Sequence, residues 1–255
     1  ALTLVNFALH HLDQAVSPSF FKAASHSLVL ATTAAAIAVC LGLILGYSNR
    51  MAPGGLTRKV IRLASMGYAI PGTVLGISVL IPLAAFDNAI DTLMRDRFGI
   101  STGLLLSGSI AAITFAYVAR FLAVSFGAVE SGLEKVTPNL TAAARTLGRG
   151  PIATFFEIHL PLLRPALVTA ALLVFVDCMK ELPATLILRP FDFETLATTV
   201  FMLASLDQLE EVVDEVGADI DIALDSGVRR GTDVVKALAL GADVVKVEPP
   251  KNGAP

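Results

Sequence analysis

Four apolar runs, each long enough to cross a bilayer, constrain this chain more than anything else in it. A spanning helix needs about 20 mostly apolar residues. The runs fall at 27–48, 63–86, 102–118 and 165–188. In hydrocarbon every backbone N–H and C=O must be satisfied by the protein itself, so such runs fold as helices. Composition points the same way: apolar side chains make up 55% of the 255 residues and charged ones only 16%, against about 25% charged in soluble domains. This composition argues against a wholly soluble enzyme and excludes disorder for most of the chain. A net charge of −3 gives no reason to expect nucleic acid as a partner. The stretch 195–206 is apolar but too short to span unaided.

Loop charges orient the spans. Arg50, Arg58, Lys59 and Arg62 follow the first run with no acid among them. The loop after the second run is mixed, with Asp87, Asp91, Arg95, Asp96 and Arg97. After the third come Arg120, Lys135, Arg145, Arg149 and Arg164. Basic short loops stay on the cytoplasmic side. Loops 49–62 and 119–164 are therefore expected inside, and the N-terminus, loop 87–101 and everything after Leu188 outside. Residues 1–26 have no signal-peptide layout, and the start at Ala1 reads as the cut end of something longer. Cys40 and Cys178 sit in apolar runs and read as small buried hydrophobes. His10, His11, His26 and His159 are scattered and read as non-ligating, and no metal site is expected.

The most informative loop is PNLTAAARTLGRGPIATFFEIHLPLLRP, 138–165. Residues 140–147 favour helix. Gly148 then suits a C-terminal stop, because glycine enters the left-handed region cheaply. Gly150-Pro151 makes a turn, and Pro151 suits the first position of a new helix. That second helix, carrying Ile152, Phe155, Phe156 and Ile158, is expected to end near Pro161. Two readings fit a short helix–turn–helix with aromatic residues on the inner side. Either it docks onto a partner, or it packs back on its own bundle.

This loop resembles that of the ATP-binding-cassette importer permeases, whose pattern is E-A-A, three residues, G, nine residues, I-x-L-P. Here Ala142, Ala143 and Ala144 are followed by Gly148, Ile158, Leu160 and Pro161 at the family spacing. The departure is Ala142, where the family carries Glu, so one polar contact is in question. The resemblance covers about 1–209 and implies an all-α transmembrane bundle of about four spans, lacking the family's last span. It also implies a coupling helix seated in a cytoplasmic ATPase, a second permease half, a periplasmic solute-binding protein and a bacterial inner-membrane location. YAIPGTVLGISVLIPL at 68–83 and FVDCMKELPATLILRPFDFETLATTVF at 175–201 look like the iron(III) branch. That branch often fuses two halves, of which this chain looks like the second. The resemblance implies no enzyme activity and no cofactor in the chain, ATP being hydrolysed on a partner.

Asp177, Lys180 and Glu181 interrupt the fourth run. A charge in the bilayer costs about 2.5–3.5 kcal/mol on insertion scales, so such residues face the bundle interior. Their spacing predicts roughly one shared helix face. They form either a wall or gate of the translocation path, or an internal ion pair between helices.

Near Leu209 the character changes, and ten Asp or Glu crowd 210–255. DIDIALD and VVKVE read as strands flanking a helix over GTDVVKALALGAD, a βαβ-like piece too small to build a core alone. LDSGVRRGTDVVKALALGADVV, 224–245, resembles FMN-dependent 2-hydroxy-acid dehydrogenases, which are TIM barrels. The resemblance gives Asp225, Gly227 and Arg229 the FMN-phosphate contacts. One βα unit cannot close an eight-stranded barrel, and the family's catalytic His and Arg are missing, so flavin catalysis is not expected. Residues 241–255 look more weakly like the start of a CoA-transferase. The tail, 210–255, reads as a foreign soluble appendage, which leaves open a non-functional chimeric membrane fragment.

Overall fold

A computed structural model describes residues 18–51, 54–205 and, beyond them, 223–225, 234–235, 238–239, 242 and 244–246. The chain divides into two compact units, 1–196 and 197–255.

The first unit is a helical bundle. Helix α1 is Pro18–Met51, α2 is Gly55–Met66 and α3 is Gly72–Phe98, with a 3-10 turn, Gly67–Ala69, between the last two. Helix α4 is Ile110–Glu134 and α5 is Pro138–Thr146. Helix α6 is Pro151–Met179, with a π-turn at Phe155–His159, and α7 is Pro183–Leu188. Helices α1, α3, α4 and α6 are long and apolar enough to cross a membrane, so the fold class expected from the four runs holds.

Local chemistry sets the boundaries. The Ser109 hydroxyl accepts from the Ala112 N–H and caps α4, satisfying one of the free donors at a helix start. Pro138, Pro151 and Pro183 open α5, α6 and α7, where a missing N–H costs nothing. Gly99 at φ 66° closes α3.

Helices α1, α4 and α6 pack along a seam of small residues. On α1, Ala31, Ala34, Ala35 and Ala38 are buried against Ile113, Ala116, Tyr117 and Phe121 of α4 and Val174 and Cys178 of α6. A Cβ on Gly42 would stand 2.5 Å from the Ser125 hydroxyl, and one on Gly132 would stand 2.5 Å from the Ala166 methyl. Without a hydrophobic drive between helices in lipid, this close approach is what gives the bundle its van der Waals contact. A second cluster, Val129, Leu133, Val136 and Leu163, continues the core toward the far end of α4.

The structure moves the span boundaries expected from hydropathy. The run 27–48 is the middle of a 34-residue helix, which at 1.5 Å per residue is about 50 Å long. The run 63–86 is not one helix: Pro71 lacks a donor, and the chain breaks at 67–71. The third helix runs past 118 to Glu134, which puts Arg120 inside it rather than at its end. The fourth starts at Pro151 and stops at Met179. The second loop helix therefore does not end at Pro161. Proline at 161 follows the π-turn, whose i→i+5 bonding resets the hydrogen-bond register, and the helix continues to Met179. Cys178 is buried as expected, whereas Cys40 is exposed on the apolar surface of α1.

In the second unit the described strands are β1, Ala223–Asp225, and β2, Val244–Lys246. They pair in parallel, with Leu224 opposite Val245. Parallel pairing needs a crossover connection, which agrees with the βαβ-like reading. The tail PPKNGAP lies outside the described residues.

Candidate functional site

Two arrangements in the bundle carry chemistry. The first is the loop between α4 and α6. Helix α5 ends in a paired turn: the Gly148 N–H donates to Arg145 O and the Arg149 N–H to Ala144 O, each at 3.0 Å. This is the Schellman closure, and it needs a left-handed residue; Gly148 has φ 77°, as expected from the sequence. Pro151 then opens α6, and the Thr154 hydroxyl donates to Gly150 O at 2.9 Å.

One side of this loop is pinned to the bundle. Thr141 of α5 hydrogen-bonds His159 Nε2 at 3.1 Å. His159 is buried, and its ring lies 5.7 Å from Tyr47 of α1. Phe155 meets Tyr47 edge-on at 4.7 Å. Arg50, at the end of α1, donates to Leu133 O and Val136 O at 2.6 Å each, which satisfies free carbonyls at the end of α4. The ends of α1 and α4 and the start of α6 therefore lie together at one end of the bundle.

The other side is bare. Leu147, Ile152 and Phe156 are 81%, 75% and 60% exposed. Of the motif residues, Ala142, Ala143 and Gly148 are exposed, Ala144 is buried, and Ile158, Leu160 and Pro161 are half-buried. The two sequence readings each describe one face: Phe155 and His159 pack back, while Leu147, Ile152 and Phe156 do not. The Arg149–Glu157 pair at 3.3 Å is exposed on both sides and adds little.

The second arrangement lies about half-way along α4. Glu181 is not on the same helix face as Asp177 and Lys180, because α6 stops at Met179 and the chain turns before α7. Lys180 pairs with Asp177 at 2.8 Å with its side chain 71% exposed. Glu181 turns inward, its side chain 8% exposed, with Oε2 3.3 Å from Arg120 Nε. Arg120 Nη1 also donates to Ile70 O at 2.9 Å, a carbonyl freed by the break between α2 and α3. The Ala184 N–H reaches Glu181 Oε1 at 3.4 Å. Beside this pair the Tyr117 hydroxyl lies 2.5 Å from that of Thr185, which donates to Glu181 O at 2.6 Å. Gly72 packs so closely here that a Cβ would overlap Glu181 Oε1. Asp177 and Lys180 form a local pair at the end of α6, and Glu181 makes an ion pair between elements.

Sequence reasoning missed Arg120, Tyr117, Thr185, Tyr47, Thr141 and His159. Arg120 gave a signal, since the apolar pattern resumes beyond it at FLAVSFGAV, which marks a buried charge rather than a span end. The polar pins gave none, because their partners are far apart in the chain. His26 stacks on Phe193 at 4.4 Å and bonds Glu194 O at 3.0 Å through Nδ1. Asp225 ends β1. Gly227, Arg229, His10 and His11 lie outside the described residues.

Residues 38–200 match the family described as the binding-protein-dependent transport system inner membrane component. The chain belongs to that family. It is thus a multi-pass inner-membrane transport component. Its relatives include the Fe(3+)-transport system permease protein FbpB 2 of Haemophilus influenzae, 28% identical over 182 residues, covering 71% of this chain and 33% of that protein. The molybdate/tungstate transport system permease protein WtpB of Pyrococcus abyssi is 32% identical over 177 residues, covering 67% of this chain and 61% of that one. The chain thus spans a third of the first relative's length and under two thirds of the second's. Residues 199–249 match the FMN-dependent dehydrogenase family. An L-lactate oxidase of Nostoc sp. is 50% identical over 48 residues, 19% of this chain and 13% of that enzyme.

Proposed function

We propose that this chain is the permease subunit of an ATP-driven importer, with ferric iron as its solute. Residues 1–209 form the permease part in this reading, and 210–255 are a foreign soluble appendage rather than an independent domain. The single observation that carries it is the two-faced loop. Its inner face is held by Thr141, His159, Tyr47 and Phe155, while Leu147, Ile152 and Phe156 are exposed. An apolar knob fixed on a rigid base suits a groove in a partner. The partner is a cytoplasmic ATPase, and Ala142, Ala143, Ala144, Gly148, Ile158, Leu160 and Pro161 shape the coupling segment 139–161. The other partners are a second permease half, a periplasmic solute-binding protein and the bilayer. Ferric iron is supported by the iron-transport relatives and by the 175–201 stretch. Asp177, Lys180 and Glu181 border the path of the solute. The chain itself catalyses nothing and holds no cofactor; ATP is bound by the partner.

Uptake of radiolabelled ferric iron tests this. Cells lacking their own ferric importer receive this chain with an ATPase, a second permease half and a binding protein of the ferric type. ATP-dependent uptake of iron and not of molybdate is expected; uptake of molybdate alone would replace the solute. For the tail, the lactate-oxidase likeness favours a second reading as a flavin-enzyme fragment. Purified protein carrying bound yellow flavin would support that reading.

A further inference from the structure

We infer that Glu181 is a positioning residue that aims Arg120 at Ile70, and that the Arg120–Ile70 contact is the latch that holds the helix break at 67–71 against α4. This rests on the reading of the bundle as a solute passage and goes beyond it, because it names the moving part and what restrains it.

Both interrupted crossings lose their helix at the same level of α4. The α2–α3 break is held by Arg120 Nη1 on Ile70 O. The α6–α7 break is held by Tyr117 on Thr185 and on Glu181 O. A continuous helix is stiff, whereas a break absorbs backbone rotation and so serves as a hinge.

The two attachments differ in kind. The Tyr117–Thr185 contact is short, and both residues are almost fully buried. It fixes the α6–α7 break permanently to α4. The Arg120 attachment is more open: Nη1 meets Ile70 O at 2.9 Å, but its support by Glu181 is loose. The Nε–Oε2 separation is 3.3 Å, and the buried Nε has no well-directed hydrogen bond. The Arg120 side chain is 19% exposed, so water can replace Ile70 O when the break moves away. A permanent arginine pin would use the two-pronged carboxylate geometry that guanidinium favours. Gly72 completes the clamp, as only a residue without Cβ can lie against Glu181 Oε1. The movable element is therefore the 67–71 break, and the separation between Tyr68 and Lys180 reports its position. Both residues are exposed.

The test is a distance measurement between spin labels at Tyr68→Cys and Lys180→Cys, in a Cys40→Ser background. The full chain is held in lipid nanodiscs without partners, so the result does not depend on the importer reading. Glu181→Gln keeps the size of the side chain and removes its charge. The parent should give one short distance. Glu181→Gln should add a longer one, with a rise of about tenfold in the open-to-closed ratio. If that variant is unstable, Arg120→Gln/Glu181→Gln removes both buried charges together and should give the same long population. A variant that stays folded with the parent's single short distance would overturn the latch. In the assembled importer, Glu181→Gln should also raise solute-free ATP hydrolysis. Failure to assemble would count against the importer reading, while the distances alone decide the latch.

Discussion

At the scale of single residues, the account rests on positions where one atom decides the geometry. Gly148 sits at φ 77° with open space around it, so the obstacle to a side chain there is the backbone alone. Left-handed geometry costs an L-residue roughly 1–2 kcal/mol, and a β-branched one more. Gly148→Val should therefore open the closing turn of α5 and weaken ATPase retention with little loss of bundle stability. Equal retention by parent and variant would contradict this role of the turn. Gly42 is the opposite case: its backbone is helical, but a methyl would press on the Ser125 hydroxyl, which is itself bonded to Ala38 O. Gly42→Ala should destabilise the α1–α4 contact by about 1–3 kcal/mol, seen as a lower melting temperature in detergent with the loop unaffected.

At the scale of elements, helix type and number were readable from apolar runs, but helix ends were not. Hydropathy averages over a window and says nothing of where hydrogen bonds stop. Pro71 broke a run that looked continuous, whereas Pro161 and Pro165 did not break theirs. The difference is tertiary: Arg120 satisfies the carbonyl exposed at the first break, and a π-turn absorbs the second disturbance. The turn at Gly148 was legible because its chemistry is local. The pinning of the loop was not, since Thr141, His159 and Tyr47 meet only once α1, α5 and α6 are packed. For the same reason a motif match alone does not separate buried from exposed motif residues. The pins predict that His159→Ala, which removes both the Thr141 bond and the ring beside Tyr47, loosens α5 by about 1–3 kcal/mol. Hydrogen exchange over 138–146 should accelerate while α4 keeps its protection. Uniform exchange across both would mean that the loop is not held from this side.

At the scale of the whole molecule, α1 and α4 end together beside the start of α6, and the positive-inside rule puts that end in the cytoplasm. With Cys40→Ser as background, a membrane-impermeant thiol reagent applied from outside should label Ser101→Cys and spare Arg149→Cys. Labelling of Arg149→Cys alone would invert the topology. The bundle's family was legible from a short motif and its placement between two apolar runs. The solute was not legible to the same degree, because the chain is similar both to a permease named for iron and to one named for molybdate.

The central claim is that the bare face of the 139–161 loop seats an ATPase. Co-purification from membranes tests it most directly, with this chain expressed beside a second permease half and the ATPase of a ferric importer. The account predicts stable retention of the ATPase by the parent chain and its loss in Ile152→Asp, which places a charge on the exposed knob and leaves the pinned side intact. A parent chain that folds in the membrane yet retains no ATPase, or an Ile152→Asp variant that retains it fully, would contradict the account.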